Sequence, residues 1–357
     1  MFKKKVTLSD IAHRLGVSKM TVSLALRDHP RIPEKTKNRV RKVMREMGYA
    51  PDPVARALTT GRSNLIGVIV PNSSDIYYAE VIRAIEDAAR SANYQVILSS
   101  GSYSMEGYTQ RVRDMMSLRI RGIITAPPFT SEKPKLAPVW QDLKANRFPF
   151  VLINRQLDPP VFHQVTADYT AGVQMVIEAL AEMGHTRVAY VSGHPAMLPI
   201  RQRLSAFKHF ALTQGFVKDQ KLFENSELNY RGGYHACERL WTATKKKPTA
   251  IVAFSDTVAI GVLKFLDEHK VRVPDEVSVI GFDGTDIGQF THASLSTVST
   301  PMYEIGKEAF GLLNASIEGK HSSPQSLILP VKLILRDSTG PAPALSSLSR
   351  GTLRFAK

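Results

Sequence analysis

From Leu65 onward the chain alternates short apolar strands with amphipathic helices, and no other feature constrains its fold as strongly. The predicted helices include residues 170–183, 202–214, 232–242 and 257–269. The predicted strands are Leu65–Val70, Gln95–Ser99, Gly122–Thr125, Phe150–Ile153, Val188–Ser192, Ala250–Phe254 and Val277–Phe282. This alternation favours parallel sheets covered by helices on both faces. It occurs in two runs, each about the length of one domain, and so predicts an α/β core of two doubly wound parallel subdomains.

The end of the core is predicted to cross between the two subdomains. A late helix, Tyr303–Ile317, and a late strand, Leu327–Leu335, are expected to return one to each of them. The core is assigned to residues 63–340, with an N-subdomain at about 63–165 and 297–325 and a C-subdomain at about 166–296 and 326–340. Residues 341–357 are rich in Ser, Pro and Ala and are predicted to be a disordered tail.

Residues 6–26 have the pattern of a helix-turn-helix. Thr7 and Asp10 have the spacing of a capping box. Gly16 suits the left-handed position after a first helix, and Ser18 can cap a second one. In a helix-turn-helix the second helix lies in the major groove of DNA. The alternative is an ordinary helical hairpin inside a core.

A third helix, from about Pro33 to Met47, completes a headpiece assigned to residues 5–51. Its inward stripe is Val40, Val43, Met44 and Met47. The net charge of the 357-residue chain is +15, and residues 1–62 contain 15 Lys or Arg against five Asp or Glu. Most of the net charge therefore lies in the first sixth of the chain, which is typical of a module that binds a polyanion.

Residues 52–61 are predicted to form a short hinge helix. Asp52 can cap it, Pro53 suits its first turn, and Gly61 ends it. Two helical turns do not recover the cost of helix nucleation. The hinge is therefore expected to become helical only when something packs against it.

Composition and motifs exclude several classes of protein. Cys237 is the only cysteine, so no intrachain disulfide can form, which fits a cytoplasmic location. The longest apolar runs, such as Leu65–Val70, are far shorter than a membrane span. The sequence has no nucleophile elbow, phosphate loop, dinucleotide fingerprint or His-Glu-x-x-His motif. We therefore predict no enzymatic activity, no catalytic residues, no cofactor and no metal.

Read together, the motifs resemble those of the lactose-repressor family of bacterial transcription regulators over nearly the whole chain. Their order and spacing carry the resemblance. They are V-T-L-S-D-I-A, G-V-S-K-M-T-V-S, G-Y-A-P-D-P-V-A-R-A-L, I-G-V-I-V-P, E-M-G-H-T-R-V-A-Y-V-S-G, R-Q-R-L-S-A-F, F-S-D-T-V-A-I-G, V-P-D-E-V-S-V-I-G-F-D, L-S-T-V and L-R-D-S-T.

The resemblance implies a transcriptional repressor that binds a palindromic DNA operator as a homodimer. It also implies a core like the periplasmic sugar-binding proteins, controlled by a small-molecule effector. The alternative is a soluble sugar-binding protein without a regulatory role, for which a basic headpiece has no use. A membrane partner is not expected.

The same resemblance assigns residues to DNA. Lys19, Met20, Ser23 and Leu24 match the base-reading face, and Leu58 matches a leucine that enters the minor groove from the hinge helix. The other positions assigned to DNA are Thr7, Ser18, Thr21, Arg27, Thr36 and Ala55. At Leu24 most relatives carry an arginine, which reads guanine through two hydrogen bonds. We therefore predict that the half-site lacks the usual guanine contact there. The alternative for Leu58 is a buried contact between headpiece and core.

The effector positions implied by the family are Tyr77, Tyr78, Asn154, Arg203, Ser255 and Asp283. Ala206, three residues after Arg203, replaces a usual glycine. A guanidinium, a carboxylate, an amide and flat rings suit a sugar, which has hydroxyls for the polar groups and C–H faces for the rings. A nucleobase or a small acid remains an alternative. Asp283 could instead cap a turn, and Tyr78 could belong to the core.

Overall fold

The computed structural model describes residues 6–26, 28–49, 63–101, 104–128, 138–193, 197–320 and 323–343. The chain divides into two units, Met1–Ser63 and Asn64–Lys357. Each unit has its own fold and is described separately.

The first unit contains a three-helix headpiece with helices α1 (Leu8–Leu15), α2 (Lys19–Leu26) and α3 (Glu34–Met47). The predicted capping box is present, because Thr7 and Asp10 bond each other's backbone N–H groups, and Gly16 is left-handed with φ 66°. Ser18 Oγ accepts the N–H of Thr21 at 3.0 Å. The centre of the headpiece is formed by buried Ile11, Ala12, Val22, Ala25 and Val40. The described part of the first unit is therefore a helix-turn-helix with a third, supporting helix, as the sequence pattern predicts.

The second unit contains two lobes, each built on one sheet of six strands among the described residues. The N-lobe sheet has the order β11-β5-β4-β3-β1-β2, and all its strand pairs are parallel. Its strands are β1 (Leu65–Val70), β2 (Gln95–Ser100), β3 (Ile123–Thr125), β4 (Phe150–Ile153), β5 (His163–Ala167) and β11 (Ser326–Leu329).

The C-lobe sheet has the order β12-β10-β9-β8-β6-β7, and only its edge strand β12 is antiparallel to its neighbour. Its strands are β6 (Val188–Ser192), β7 (Phe223–Asn225), β8 (Ala250–Ala253), β9 (Ser278–Asp283), β10 (Ser296–Ser299) and β12 (Lys332–Ile334). The two mostly parallel sheets confirm the predicted fold class.

Helices cover the sheets. They are α4 (Ile76–Ser91), α5 (Met105–Ser117), α6 (Pro138–Ala145), α7 (Tyr169–Glu182), α8 (Leu198–Thr213), α9 (Tyr230–Ala243), α10 (Asp256–Glu268) and α11 (Met302–Ile317), with 3₁₀ turns at Gln220–Leu222 and Asp286–Phe290. Helix α11 packs against α4 in the N-lobe, and α9 packs against α10 in the C-lobe.

The lobe boundaries differ from the prediction at three strands. The predicted strand Leu327–Leu335 is two strands, because Pro330 has no N–H for a sheet ladder and separates β11 in the N-lobe from β12 in the C-lobe. Residues 326–329 had been assigned to the C-subdomain. Strand β10 had been assigned mostly to the N-subdomain, and the end of β5 to the C-subdomain, and both assignments were wrong.

The ordered core also extends past the predicted limit of residue 340. Ala342 is buried and its N–H donates to the carbonyl of Met183 at 2.9 Å. The prediction of disorder was therefore wrong for the first residues of the tail. Residues 344–357 and the hinge assigned to residues 52–61 lie outside the described residues. Within the described part of the chain, no helix is both long and apolar enough to cross a membrane.

Candidate functional sites: a DNA-reading helix and a cavity between two lobes

Helix α2 presents part of the predicted base-reading face to solvent. Lys19 is exposed, and Met20 is 67% exposed. Ser23 and Leu24 are half-buried on the same helix. An exposed large apolar side chain beside a lysine is what a helix needs to contact thymine methyls and phosphates in one groove.

Several of the hydroxyls that were assigned to DNA also hold the headpiece together. Thr7 Oγ1 donates to Asp10 Oδ2 at 2.7 Å, and the hydroxyls of Ser18 and Thr21 are 2.9 Å apart. A hydroxyl has one donor and two acceptor positions. The donor of Thr7 is committed to Asp10, so a bond from this hydroxyl to a phosphate oxygen would require it to turn away from Asp10. Thr36 lies half-buried in the first turn of α3. The predicted DNA residues Arg27, Ala55 and Leu58 lie outside the described residues.

All six predicted effector residues line one cavity between the two lobes. Its volume is about 80 Å³. The residues come from the start of α4, the end of β4, helix α8 and the ends of β8 and β9: they are Tyr77, Tyr78, Asn154, Arg203, Ser255 and Asp283. Most of these positions follow the carboxyl ends of parallel strands, where ligands of doubly wound folds bind.

A cluster of two phenols and one amide forms one wall of the cavity, with Tyr77 and Asn154 from the N-lobe and Tyr169 from the start of α7, which packs in the C-lobe. The hydroxyls of Tyr77 and Tyr169 lie 2.5 Å and 3.0 Å from Asn154 Oδ1, and 3.1 Å from each other. Burial raises the pKa of Tyr77 well above its ordinary value and also raises the pKa of Tyr169. Both therefore remain neutral phenols, which can donate and accept hydrogen bonds. Tyr78 packs edge-on against Tyr77 and is half-buried. One part of its side chain contacts the hydrophobic core, and it also lines the cavity.

Arg203 crosses the cavity from the C-lobe, and its guanidinium is stacked on aromatic rings. Its Cζ lies 3.7 Å from the ring centroid of Tyr169 and 4.3 Å from that of Phe254, and Nη1 donates to the carbonyl of Phe254 at 3.1 Å. The side chain is buried, and Nε has no hydrogen-bond partner among the described residues. A buried, unsatisfied N–H is costly, so this donor suits an acceptor on a bound molecule.

Asp283 ends β9 with its backbone in the left-handed region, at φ 114°. Strained backbone of this kind concentrates at functional sites. Burial raises the pKa of Asp283 well above its ordinary value; the nearby charge of Asp256 raises it further, and Arg203 opposes both. Asp283 lines the cavity and also accepts a hydrogen bond from the backbone of Asp256 at the start of α10, so it combines a place at the site with a structural contact.

Asp256 lies behind Asp283 and is fully buried. Its carboxylate accepts hydrogen bonds from Thr297 Oγ1 at 2.6 Å, from Thr285 Oγ1 at 2.9 Å and from the N–H of Thr285 at 2.7 Å. Burial raises its pKa to about 6, although these hydrogen bonds lower it. Asp256 thereby fixes the loop that follows Asp283.

Ser255 has a structural role besides its place in the cavity, because its Oγ caps α10 by accepting the N–H of Val258. Asp75 caps α4 in the same way through the N–H of Tyr77. Sequence reasoning missed Tyr169 and Phe254, which hold Arg203. Tyr169 follows β5, a strand that was not predicted, and Phe254 was read only as the end of a strand.

Comparison with known proteins agrees with this architecture. A model described as bacterial regulatory proteins, lacI family, matches residues 7–52. A model described as a periplasmic binding protein-like domain matches residues 177–339.

Full-length relatives cover nearly the whole chain. The chain is 30% identical over 339 residues to the HTH-type transcriptional regulator DegA of Bacillus subtilis, which covers 94% of this chain and 99% of that protein. It is 31% identical over 334 residues to the HTH-type transcriptional regulator AscG of Escherichia coli, covering 93% and 98% respectively.

Solved structures share the fold. A lac repressor dimer bound to operator and the anti-inducer ONPF has a TM-score of 0.85 at 23% identity, covering 94% of this chain and all 100% of that one. The Escherichia coli transcriptional repressor ascG has a TM-score of 0.68 at 29% identity, covering 77% and 99%.

A helix-turn-helix headpiece joined to a two-lobed periplasmic-binding-protein-like core defines a class of ligand-responsive DNA-binding transcription regulators. The chain belongs to the LacI family of these bacterial regulators. The relatives matched here are regulators rather than enzymes.

Proposed function

We propose that the protein is a cytoplasmic repressor that binds a palindromic operator as a homodimer and is controlled by a carbohydrate in the cavity between its lobes. The observation that carries this proposal is the convergence of six separated side chains on one cavity. A headpiece with an exposed recognition helix accompanies that cavity in the same chain.

The chemistry of the cavity supports a polyhydroxy ligand. Neutral phenols and the amide of Asn154 can exchange hydrogen bonds with hydroxyls in either direction. The free Nε–H of Arg203 adds a donor, and Asp283 adds an acceptor. Aromatic rings on both sides of the site suit the C–H faces of a sugar. A nucleobase is the second candidate, because the same rings can stack on a flat base.

On DNA, helix α2 would lie in the major groove with Lys19 and Met20 toward the bases. Leu58, from the hinge helix, would enter the minor groove and bend the duplex. Because a helix as short as the hinge is unstable alone, its formation on DNA would couple the core to the operator. Ligand would change DNA affinity only as far as it favours one lobe arrangement over another.

The test is selection of bound DNA from a random library with the full-length protein, followed by a carbohydrate screen on the selected site. We expect a palindromic site, an affinity that falls steeply between about 50 and 200 mM salt, and a shift of that affinity by one class of carbohydrate. A Leu58→Ala variant should bind the site more weakly.

Absence of any preferred palindrome across these salt concentrations would contradict the proposal. A protein that binds carbohydrate but no DNA would support the alternative of a sugar-binding protein without a regulatory role.

A further inference from the structure

Three loops of the C-lobe carry a concentration of positive charge that the rest of the core lacks. They are residues 183–187, 214–222 and 244–249, and they contain six Lys or Arg against one acidic residue. Residues 63–343 as a whole contain 29 Lys or Arg against 27 Asp or Glu, so the remainder of the core has 23 against 26. We call these three loops the basic face. Its cations are Arg187, Lys218, Lys221, Lys245, Lys246 and Lys247.

The basic face lies at the edge of the C-lobe sheet opposite the cavity between the lobes. Its loops lead into β6, β7 and β8, which are parallel neighbours in the sheet. The amino ends of parallel strands share one edge, whereas Ser255 and Asp283 of the cavity lie at the carboxyl ends of β8 and β9. Because neighbouring strands are about 4.8 Å apart, the three loops span about 10 Å. The basic face is therefore separate from the effector site.

Arg187 ties the three loops together. Its Nε donates to the carbonyl of Lys246 at 2.8 Å, and its Nη2 donates to Asp219 Oδ2 at 2.7 Å. The N–H of Thr249 donates to the carbonyl of Arg187 at 2.9 Å. Asp219 is the one acidic residue of the basic face, and its carboxylate is occupied by Arg187. The lysines therefore stand on a fixed backbone, with no further carboxylate in these loops to neutralise them.

Four exposed lysines of the basic face form no ion pair with any described residue; they are Lys218, Lys221, Lys245 and Lys246. Lys247 differs from them, because its Nζ donates to the carbonyls of Thr244, at 2.7 Å, and of Trp241 at the end of α9. Like charges that are grouped on a surface repel one another. An anion that covers the four lysines would relieve this repulsion.

The side chains of the basic face favour a nucleic acid over a protein as its partner. Protein interfaces are centred on buried aromatic and apolar anchors. No aromatic residue of the three loops is exposed, and Val217 is their one exposed apolar side chain. Duplex DNA carries one charge per about 1.7 Å of its axis, so a stretch of about 10 Å presents about six phosphates to such a row of lysines.

The sequence beyond the described residues has the same sign of charge. The described chain ends at Pro343, and the N–H of Ala342 donates to the carbonyl of Met183 in the first of the three loops. Residues 344–357 contain three Lys or Arg and no acidic residue. A polyanion at the basic face would therefore meet no opposing charge from the sequence that follows.

We infer that the basic face binds the phosphates of a second DNA duplex, so that one protein holds an operator at its headpiece and non-operator DNA at its C-lobe. The four exposed lysines contact the phosphates, and Arg187 positions the loops that carry them. Four phosphate contacts bind DNA weakly and without regard to sequence, with a Kd of about 10⁻⁴ M at physiological salt. This surface goes beyond the proposed function, which places DNA only at the headpiece and the hinge.

The experiment measures binding of a second duplex to full-length protein whose headpieces are already occupied. The protein is saturated with a short duplex that carries the selected site and one dye, and a duplex of unrelated sequence with another dye is titrated at about 50 and about 200 mM salt. We expect the unrelated duplex to bind without displacing the first. Its affinity should fall roughly 150-fold over this range, because each of the four contacts adds about 0.9 to the slope of log affinity against log salt.

Replacement of the four lysines tests the location. The combined variant Lys218→Gln, Lys221→Gln, Lys245→Gln and Lys246→Gln should bind the second duplex at least about tenfold more weakly at the lower salt and lose most of the salt dependence. Its binding to the selected site should not change. The matched control makes the same change of charge at exposed lysines elsewhere on the core, with Lys144→Gln, Lys307→Gln, Lys320→Gln and Lys332→Gln. It should bind both duplexes as the unaltered protein does.

A protein that takes up no second duplex at about 50 mM salt would overturn the inference, as would equal losses of affinity in the two lysine variants. Poly-L-glutamate is the second probe: tighter binding to it than to a duplex of the same charge would assign the basic face to an acidic polypeptide instead of DNA. In each of these cases operator binding by the headpiece, and with it the proposed function, would stand.

Discussion

At the scale of single residues, Leu24 is the position where we predict that DNA specificity departs from that of relatives. It lies half-buried on α2, next in sequence to Ser23. A leucine contacts a thymine methyl but has no donor for the acceptors of guanine. The operator is therefore expected to differ from the usual family half-site at the base that faces this position.

Leu24→Arg should create a preference for guanine at one position of each half-site. The discrimination gained is about 1–3 kcal/mol, the usual range for one bidentate contact. The measurement is a repeat of the DNA selection with the variant beside the unaltered protein. Identical base preferences in the two selections would show that residue 24 does not read the sequence.

Asp256 makes the stability of the core depend on pH. Its pKa is about 6 in the folded protein against an ordinary 3.8, because it is buried. A carboxyl whose pKa is higher in the folded state binds protons more readily there. The stability that this carboxyl contributes is therefore fully present below pH 3.8, the ordinary pKa that applies to the unfolded chain. It is lost as the pH rises through about 6, the pKa in the folded protein.

Asp256→Asn should remove this dependence while keeping the bonds to Thr285 and Thr297, because the amide offers one acceptor and two donors. The free energy of unfolding of the unaltered protein, relative to the variant, should rise as the pH is lowered from 7 to 4. Urea denaturation at several pH values measures it. A difference that stays constant over this range would show that Asp256 does not titrate there.

At the scale of elements, glycines allow helices α9 and α10 to pack closely. A Cβ on Gly261 of α10 would lie 2.0 Å from the carbonyl oxygen of Tyr230 on α9. On the opposite side of the same interface, a Cβ on Gly233 would lie 2.1 Å from the carbonyl oxygen of Val258. The two helices therefore approach at backbone distance, and any side chain at these positions would push them apart.

Gly261→Ala should lower the free energy of unfolding by about 1–3 kcal/mol, the usual cost of overpacking. The matched control is Gly311→Ala in α11, where a Cβ would meet nothing within 4 Å. That change should raise stability by about 0.5–1 kcal/mol, since alanine is the better helix former. Denaturant unfolding compares the two. Equal effects of the same sign would contradict the packing argument.

Periodicity predicted the apolar elements well because burial dictates their sequence. Helix α9, predicted at residues 232–242, spans Tyr230–Ala243, and β6 was predicted with its observed bounds. Strand β5 was missed because it reads as polar, H-Q-V-T-A. Its polar side chains are nevertheless buried: Gln164 bonds the backbone of Leu157, and His163 accepts the N–H of Gln325. Pairing of this kind depends on distant segments, so local patterns cannot reveal it.

The candidate site was predicted only as far as family motifs reach. The resemblance supplied six positions that the structure brings together, but their binding role stays a prediction. Neither periodicity nor motif indicated that Tyr169 and Phe254 hold the guanidinium of Arg203.

At the scale of the whole molecule, the headpiece and the core have separate hydrophobic centres. The headpiece centre is built around Ile11 and Val40, and the core clusters contain no residue before Ile66. Each unit therefore has a packed centre of its own.

Removal of residues 1–62 should abolish specific DNA binding and leave carbohydrate affinity within about twofold, since every residue that lines the cavity between the lobes remains. Calorimetry with the carbohydrate found in the screen and a mobility-shift assay with the selected DNA measure the two activities. Loss of both activities in a truncated protein with intact circular dichroism would contradict this independence.

The chain passes between the lobes three times, after β5, after β10 and between β11 and β12. Each lobe is consequently assembled from stretches that are distant in the sequence. A chimera that takes one entire lobe from a relative would need three junctions, one in each passage. A chimera with a single junction inside the core would contain a sheet whose strands come from two different parent proteins. Recombination at the boundary before residue 64 needs only one junction. New pairings of operator and effector are therefore far easier to obtain by exchanging headpieces than by exchanging lobes.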